Sequence, residues 1–391
     1  MISTRLDPRS PEARQQPVWG SEAALQRVRD ELRHAPGLVR STDVRLLRML
    51  LARVAAGEAL IVQAGDCAED PAECTERHVA GKVELLASLA GELTRVTGKP
   101  VLRVGRIAGQ FAKPRSSDTE TVDGVELPVY RGHLVNSPER DREAREANPR
   151  RLVDGYRASR HAMDHLGWNS PDRLSVDLTE RVWTSHEALL LDYETPSLRM
   201  DAHGRRLLTS THWPWIGERT RQADGAHVAL LSDVVNPVSV KIGPAVTPAE
   251  LMVLLARLDP AGEPGRLTLI ARMGADAVAE RLPALVKTAR MAGHPVIWQC
   301  DPMHANTVTA PGGFKTRYVE TIMREVEGFQ AAVREGGGVA GGLHLETTPD
   351  DVTECVENKS QAGLAGERRT TLCDPRLTAA QALSVVGTWK A

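Results

Sequence analysis

The chain has 391 residues, a formal net charge of -2, 41% hydrophobic residues and 4% aromatics. That length fits one large α/β barrel or two ordinary domains, with a core built mainly of Leu, Val, Ile and Ala. Near-neutral charge argues against a dedicated nucleic-acid binder, and no run approaches the roughly 18 apolar residues of a membrane span.

Met1 to Gln16 is polar and lacks the apolar centre of a secretory signal, so a cytoplasmic location is expected. The first ~20 residues, rich in Pro, Arg and Gln, read as extended. Ser21–Arg33 and Thr42–Ala56 then show helical spacing, with Leu46, Leu47, Leu50, Leu51 and Val54 on one face. They form an N-terminal region, residues 1–57, ahead of a second, larger region, residues 58–391. In that second region, short apolar runs alternate with amphipathic segments. Candidate strands are Ala59–Gln63, Pro100–Val104, Val238–Ile242, Leu267–Ala271, Pro295–Gln299 and Gly341–Leu345. The third and fourth are placed near Trp183–Leu190 and Leu207–Thr211. Helices are expected at His78–Thr97, Pro248–Leu258, Val278–Ala292, Tyr318–Arg334 and Gln381–Trp389. Asp118 to Ser170 reads as an insertion after the second strand, helical from Ala144 to Leu166. Such alternation implies a parallel sheet. An open doubly wound sheet stays possible, but no G-x-G-x-x-G follows the first strand and no P-loop is present.

Charged residues gather just past the strands. In a parallel barrel all strand C-termini open on one face, so distant residues would meet in one bowl. Arg106, Lys113, Arg115, Arg219, Arg221, Lys241 and Arg272 are many fixed cations for one face, suited to a small, multiply anionic ligand. A lone Arg or Lys is usually a surface residue; several at strand ends are not read that way. Cys67, His304, Glu346 and Asp374 offer a thiolate, an imidazole and two carboxylates, a mixture that suits Mn²⁺, Co²⁺, Zn²⁺ or Fe²⁺ better than Mg²⁺ or Ca²⁺. Taken singly, each is more often a structural residue. Five widely spread cysteines are not a disulfide framework.

From about Trp19 to Leu383 the sequence resembles the class II, or plant-type, 3-deoxy-D-arabino-heptulosonate-7-phosphate (DAHP) synthases. Ordered blocks carry the resemblance, among them Gly65-Asp66-Cys67-Ala68-Glu69, Arg106 to Ser116, Ser185-His186-Glu187 and Trp215 to Arg221. Further blocks are Asn236 to Pro244, Arg272-Met273-Gly274, Trp298 to His304, Gly341 to Glu346 and Cys373 to Leu377. The resemblance implies a (β/α)₈ TIM barrel with added N-terminal helices. It implies condensation of phosphoenolpyruvate (PEP) with erythrose 4-phosphate on a divalent metal, Mn²⁺ or Co²⁺. The metal ligands it implies are Cys67, His304, Glu346 and Asp374. PEP would be held by Arg106, Glu187, Trp215, Glu218, Arg219, Lys241 and Arg272, and the sugar phosphate by Lys113, Arg115, Ser116 and His133. Lys113, Lys241, His304 and Glu218 would take part in the chemistry. A homo-oligomer is expected, with no nucleic acid or membrane as partner.

Some positions depart from the family pattern. His133 stands where Asp is usual, which raises a modified aldose phosphate, such as an amino analogue, as an alternative substrate. Ala305 and Ser239 replace expected glycines. The chain starts later than many feedback-inhibited relatives, so weak inhibition by Phe, Tyr and Trp is expected. A non-catalytic regulatory relative is a further alternative, which the full donor set argues against. A barrel metallohydrolase is another, but its usual His-x-His after the first strand is missing.

Overall fold

The computed structural model describes residues 11–122, 124–172 and 177–390. The extended reading of residues 1–10 therefore lies outside the described residues. Among the described residues, eight parallel strands close into a barrel. They are β1 (Leu60–Gly65), β2 (Val101–Arg106), β3 (Val182–Glu187), β4 (Trp213–Ile216), β5 (Val238–Ile242), β6 (Leu267–Ala271), β7 (Ile297–Cys300) and β8 (Val339–Glu346). Closure joins β8 to β1, with Ile61 opposite Gly342 and Gly65 opposite Glu346. The final residue of a strand, or the few residues after it, thus reach one rim.

The helices form the outer layer. In chain order they are α1 (Glu22–His34), α2 (Ser41–Ala55), α3 (Glu76–Thr97), α4 (Arg150–His165), α5 (Ala226–Ser232), α6 (Pro248–Leu258), α7 (Val278–Met291), α8 (Val319–Gly336) and α9 (Ala379–Gly387). Local chemistry sets several ends. Thr247 and Glu250 form a reciprocal capping box with Pro248 in the first turn of α6, and Thr378 with Gln381 does the same for α9. Each helix buries one apolar stripe, as with Leu251, Leu254, Leu255 and Leu258 of α6.

Two expectations are corrected. The fourth strand is Trp213–Ile216, not Leu207–Thr211; Arg206–Leu208 instead pairs antiparallel with Leu198–Met200 outside the barrel. Pro214, which lacks an N–H, disguises the true strand. Ala144–Leu166 is not one helix. A short turn, Arg142–Arg145, is separated from α4 by Asn148-Pro149, because the residue before proline is driven out of the helical region. The insertion proper is the hairpin Thr119–Val122/Val125–Pro128 and its flanking loops, and α4 is the helix of the second barrel unit.

No long helix follows β3 among the described residues, only Leu191–Glu194. Helix α1 fills this gap. Trp19 Nε1 and Arg29 Nε donate to Asp192 at 2.7 and 2.9 Å, Arg150 Nη1 of α4 donates to Glu31 at 2.6 Å, and Tyr156 Oη donates to the Pro36 carbonyl at 2.8 Å. Helix α2 closes the opposite end of the barrel from the active rim, burying Val44, Leu47, Leu51 and Val54. Gly265, at φ +79°, passes under it, and a Cβ there would lie 2.3 Å from the Arg48 carbonyl oxygen and 2.7 Å from the Ala52 nitrogen. Backbone atoms cannot yield as a side-chain tip can. Gly265→Ala is expected to destabilise the fold by about 2 kcal/mol or more, read as a lowered midpoint in chemical unfolding.

Candidate active site

Glu346, the last residue of β8, is fully buried at the centre of the rim. Its Oε1 accepts from Arg106 Nη2 at 3.1 Å, and its Oε2 from Arg317 Nη1 at 2.8 Å. His304 Nε2 stands 3.6 Å away and Lys113 Nζ 3.8 Å away. Burial opposes ionisation, but Arg317, His304, Lys113 and Arg106 together hold the carboxyl well below its usual range. Arg106 is itself aimed from inside the barrel. It donates to His344 Nε2, so His344 carries its proton on Nδ1 and donates to Gln63 Oε1 at 2.8 Å. Gln63 Nε2 donates to Ser185 Oγ at 2.9 Å, and Ser185 Oγ to the Gly105 carbonyl at 2.9 Å. This chain of bonds crosses the barrel and leaves Arg106 one orientation.

Cys67, just past β1, donates its thiol to Asp374 Oδ2 at 3.4 Å, and the Asp374 N–H donates back to Sγ at 3.3 Å. Lys113 Nζ lies 2.9 Å from the same Asp374 oxygen, between the two carboxylates. Burial and the adjoining Cys373 push the Cys67 thiol well up. On the other side, His304 Nδ1 faces Asp301 Oδ2 at 2.8 Å, and Lys241 Nζ lies 2.8 Å from that same oxygen. Burial lowers His304 to about 4, so its ring is neutral at pH 7. With Nδ1–H given to Asp301, its Nε2 lone pair points toward Glu346.

Above this floor lies a cavity of about 340 Å³, lined by Arg106, Lys113, Arg115, Arg219, Lys241, Arg272, Lys315 and Arg317 against the carboxylates Glu187, Glu218 and Asp374. Ser116, Trp215 and His304 complete much of the wall. The Trp215 ring lies under the cations, 5.2 Å from Arg106 Cζ and 5.9 Å from Lys241 Nζ. Glu187 Oε1, Glu218 Oε2 and Trp215 Nε1 are buried without a hydrogen-bond partner among the described residues. Buried polar atoms left open at a cavity wall suit a polar ligand. Gly217 makes room for one of them, since a Cβ there would sit 2.0 Å from Glu187 Oε1. Burial raises Glu187 and lowers Lys241, narrowing the gap between an acid and a base.

The structure places every residue expected on the PEP side around one cavity, with Lys113, Arg115 and Ser116 on the same rim, and sets the expected metal donors beside it as two pairs, Cys67 with Asp374 and His304 with Glu346. His133 does not join them. It lies in a separate recess with Asp70, Pro71, Asn148 and Arg151, 3.7 Å from Asp70 Oδ1. The bonds Lys113 N–H to the Arg131 carbonyl (2.8 Å) and Leu134 N–H to the Phe111 carbonyl (3.1 Å) fold the loop back and turn position 133 away. Lys315 and Arg317 were missed by sequence reasoning. Lys315 stands in the small hairpin Val308–Thr309/Lys315–Thr316 and Arg317 just after it, and that hairpin has no periodic signal. The only cue was a pair of cations shortly after the Cys300 to His304 block.

Known proteins place this geometry in a lineage. The sequence pattern of the class-II DAHP synthetase family matches residues 4–171 and 163–388. The chain belongs to the class-II DAHP synthetase family. A probable phospho-2-dehydro-3-deoxyheptonate aldolase of Pseudomonas fluorescens is 56% identical over 97% of this chain and 95% of its own length. Phospho-2-dehydro-3-deoxyheptonate aldolase AroG of Mycolicibacterium smegmatis is 40% identical over 95% and 90%. Enzymes of the class-II DAHP synthetase family form a carbon–carbon bond between PEP and erythrose 4-phosphate and depend on a metal.

The donors in this class-II chain can be tested against such an ion. Ligands of one cation, bonded at about 2.0–2.3 Å, sit roughly 3.0–3.7 Å apart. Cys67 with Asp374 (3.4 Å) and His304 with Glu346 (3.6 Å) both meet that spacing. The Asp301 carboxylate behind His304 is the usual partner that fixes a ligating imidazole. As placed, no three described His, Cys, Asp or Glu side chains form a ready cage; the Lys113 ammonium stands between the two pairs. The donor set fits a cation that would take over the charge Lys113 now supplies. Asp374 is carried on a segment fixed by Glu354, which accepts from the N–H groups of Thr370 (3.0 Å), Thr371 (2.8 Å) and Arg376 (2.8 Å). The Arg376 guanidinium bridges Glu354 (2.9 Å) and Asp66 (2.6 Å). Arg376→Met leaves two buried carboxylates short of a partner and is expected to cost about 3–5 kcal/mol, measured by equilibrium unfolding.

Proposed function

We propose that this chain condenses PEP with erythrose 4-phosphate to give DAHP and phosphate, and that the cationic cavity over Glu346 is where it does so. The observation that carries this reading is eight Arg and Lys side chains around a small cavity set directly above a thiol, an imidazole and two carboxylates. Two phosphorylated anions repel each other, and fixed guanidinium and ammonium groups hold them within reacting distance.

Arg106, Arg219, Lys241 and Arg272 take the phosphate and carboxylate of PEP, with Trp215 beneath and Glu187 and Glu218 alongside. Arg115 and Ser116 take the sugar phosphate, and Lys113 reaches both substrates. Cys67, His304, Glu346 and Asp374 hold the divalent cation, with Mn²⁺ or Co²⁺ favoured by the mixed soft and hard donors. A cation held there would supply a Lewis acid for the aldehyde carbonyl. C3 of PEP then attacks the aldehyde carbon, water adds at C2, and phosphate leaves by C–O cleavage. Glu218 and Lys241 are the candidates for handling the proton of that water, Lys241 because burial has lowered it. Asp301 keeps the proton of His304 on Nδ1.

A modified aldose was motivated by His133 alone, and the place of that residue outside the cavity supports erythrose 4-phosphate as the aldose. We place the reaction at the head of the shikimate route, feeding secondary metabolism, in a cytoplasmic homo-oligomer. No helix among the described residues is long and apolar enough to cross a membrane.

Metal-loaded protein given both substrates is expected to consume PEP and release one phosphate per DAHP; PEP that stays intact rejects the reading. Arg272→Lys exchanges a planar fork for a point charge and is expected to raise KM for PEP roughly ten- to hundredfold. Because the Cys67 thiol is protonated at neutral pH, Mn²⁺ or Co²⁺ binding releases a proton, and affinity rises by about tenfold per pH unit while that proton is displaced. Calorimetry in buffers of different ionisation enthalpy counts it, and Cys67→Ser is expected to lose both the proton and most of the affinity.

A further inference from the structure

Two irregular segments carry much of the cavity wall. Arg272 heads the one after β6, and Asp301 and His304 stand in the one after β7. Each leaves the ladder after one last backbone bond, Arg272 N–H to the Ile242 carbonyl at 2.9 Å and Asp301 N–H to the Ala271 carbonyl at 2.8 Å, and the residues just beyond lean on side chains. Glu325, in the second turn of α8 and 1% exposed, lies behind both. Its Oε1 accepts from the N–H of Met273 at 3.0 Å and of Gly274 at 2.8 Å. Its Oε2 accepts from the side-chain amide of Asn306. Asn306 in turn donates Nδ2 to the Pro302 carbonyl at 2.8 Å and accepts from the Ala275 N–H at 3.1 Å.

The carboxylate and the carboxamide thus make one bracket. Three consecutive N–H groups after Arg272 are held from one side, and the backbone between Asp301 and His304 is held from the other. Gly274 sits at φ +84° within the bracket, a turn that a side chain would strain. Glu325 faces backbone and Asn306, and it is not among the residues lining the cavity.

We infer that Glu325 is a positioning residue for PEP capture, acting through Asn306 to register Arg272 against His304. The inference rests on the reading of the cavity as the PEP site. Burial raises the Glu325 acid to about 8, yet all three of its contacts come from N–H donors, which favour the ionised form: a carboxylate accepts at every point and has nothing to donate. Glu325→Gln keeps the shape but turns one end into a donor. That end then faces either two backbone N–H groups or the Asn306 amide, and one set of bonds is lost. A shift of about 1 Å in a substrate-holding group costs on the order of 10²-fold in rate.

The test compares wild type, Glu325→Gln and the milder Asn306→Ala, all loaded with Mn²⁺. Expected for Glu325→Gln is a ten- to hundredfold rise in PEP KM and in the calorimetric PEP Kd, a smaller fall in kcat, and faster hydrogen exchange at residues 273–275. Should Glu325→Gln fail to fold, Asn306→Ala carries the test, with a PEP KM raised at least threefold. Unchanged PEP KM and Kd in a folded variant overturn the inference while leaving the wild-type activity standing. Wild type that neither binds nor consumes PEP overturns the reading of the cavity and this inference with it.

Discussion

An ionised carboxylate removed from water must gather positive charge around it, and Glu346 is where this constraint acts most strongly. Desolvating such a group costs several kcal/mol even after relaxation. The compensation comes from Arg106 at the end of β2, Lys113 beyond it, and Arg317 after β7. These segments are far apart in sequence, so one buried negative charge fixes how three rim loops stand against one another. The cations that neutralise it also face outward. More of them line the cavity than the nearby carboxylates can balance, and the remaining charge is what a phosphorylated ligand meets.

Fixed charge is useful only on a rigid frame, and the frame is made by acids that touch no cavity. Glu69 accepts from three consecutive N–H groups, at Ala108 (3.1 Å), Gly109 (2.9 Å) and Gln110 (2.8 Å), and so holds Ala108 at φ +66°. Gln110 then receives the Glu187 N–H at 2.8 Å, passing that order to the next strand end. Glu354 does the same for the segment carrying Asp374. In each case a carboxylate replaces the partner strand that an irregular loop lacks.

Much of this could be read from the chain alone, where a physical periodicity marks it. Helix α6 begins at Pro248 because Thr247 caps it, and both the capping residue and the apolar stripe are visible in sequence. Strands β5 and β6 coincide with the apolar runs Val238–Ile242 and Leu267–Ala271, since both faces are buried. Strand β4 escaped because Pro214 sits in it and its apolar run is only four residues long. The placement of Cys67 beside Asp374, 307 positions later, is not a property of spacing. It became legible only through blocks shared with a family. His133 shows the reverse. Its position in a block suggested a rim location, yet the orientation of a loop side chain depends on backbone bonds that no local pattern announces. Lys315, Arg317 and the bracing acids were missed for the same reason, since a charged residue in a loop reads as solvated unless its partners are known.

The position of α1 carries a consequence for biogenesis. This helix leaves the ribosome early, but its docking partners, including Arg150 of α4, lie 119 residues later, and Asp192 later still. At 5–20 residues per second, translation needs on the order of ten seconds to supply them. Through that interval an amphipathic helix with Leu25, Val28 and Leu32 on one side has no native surface to cover it. The nascent chain therefore carries an uncovered apolar stripe on α1 until the segments holding Arg150 and Asp192 have been made.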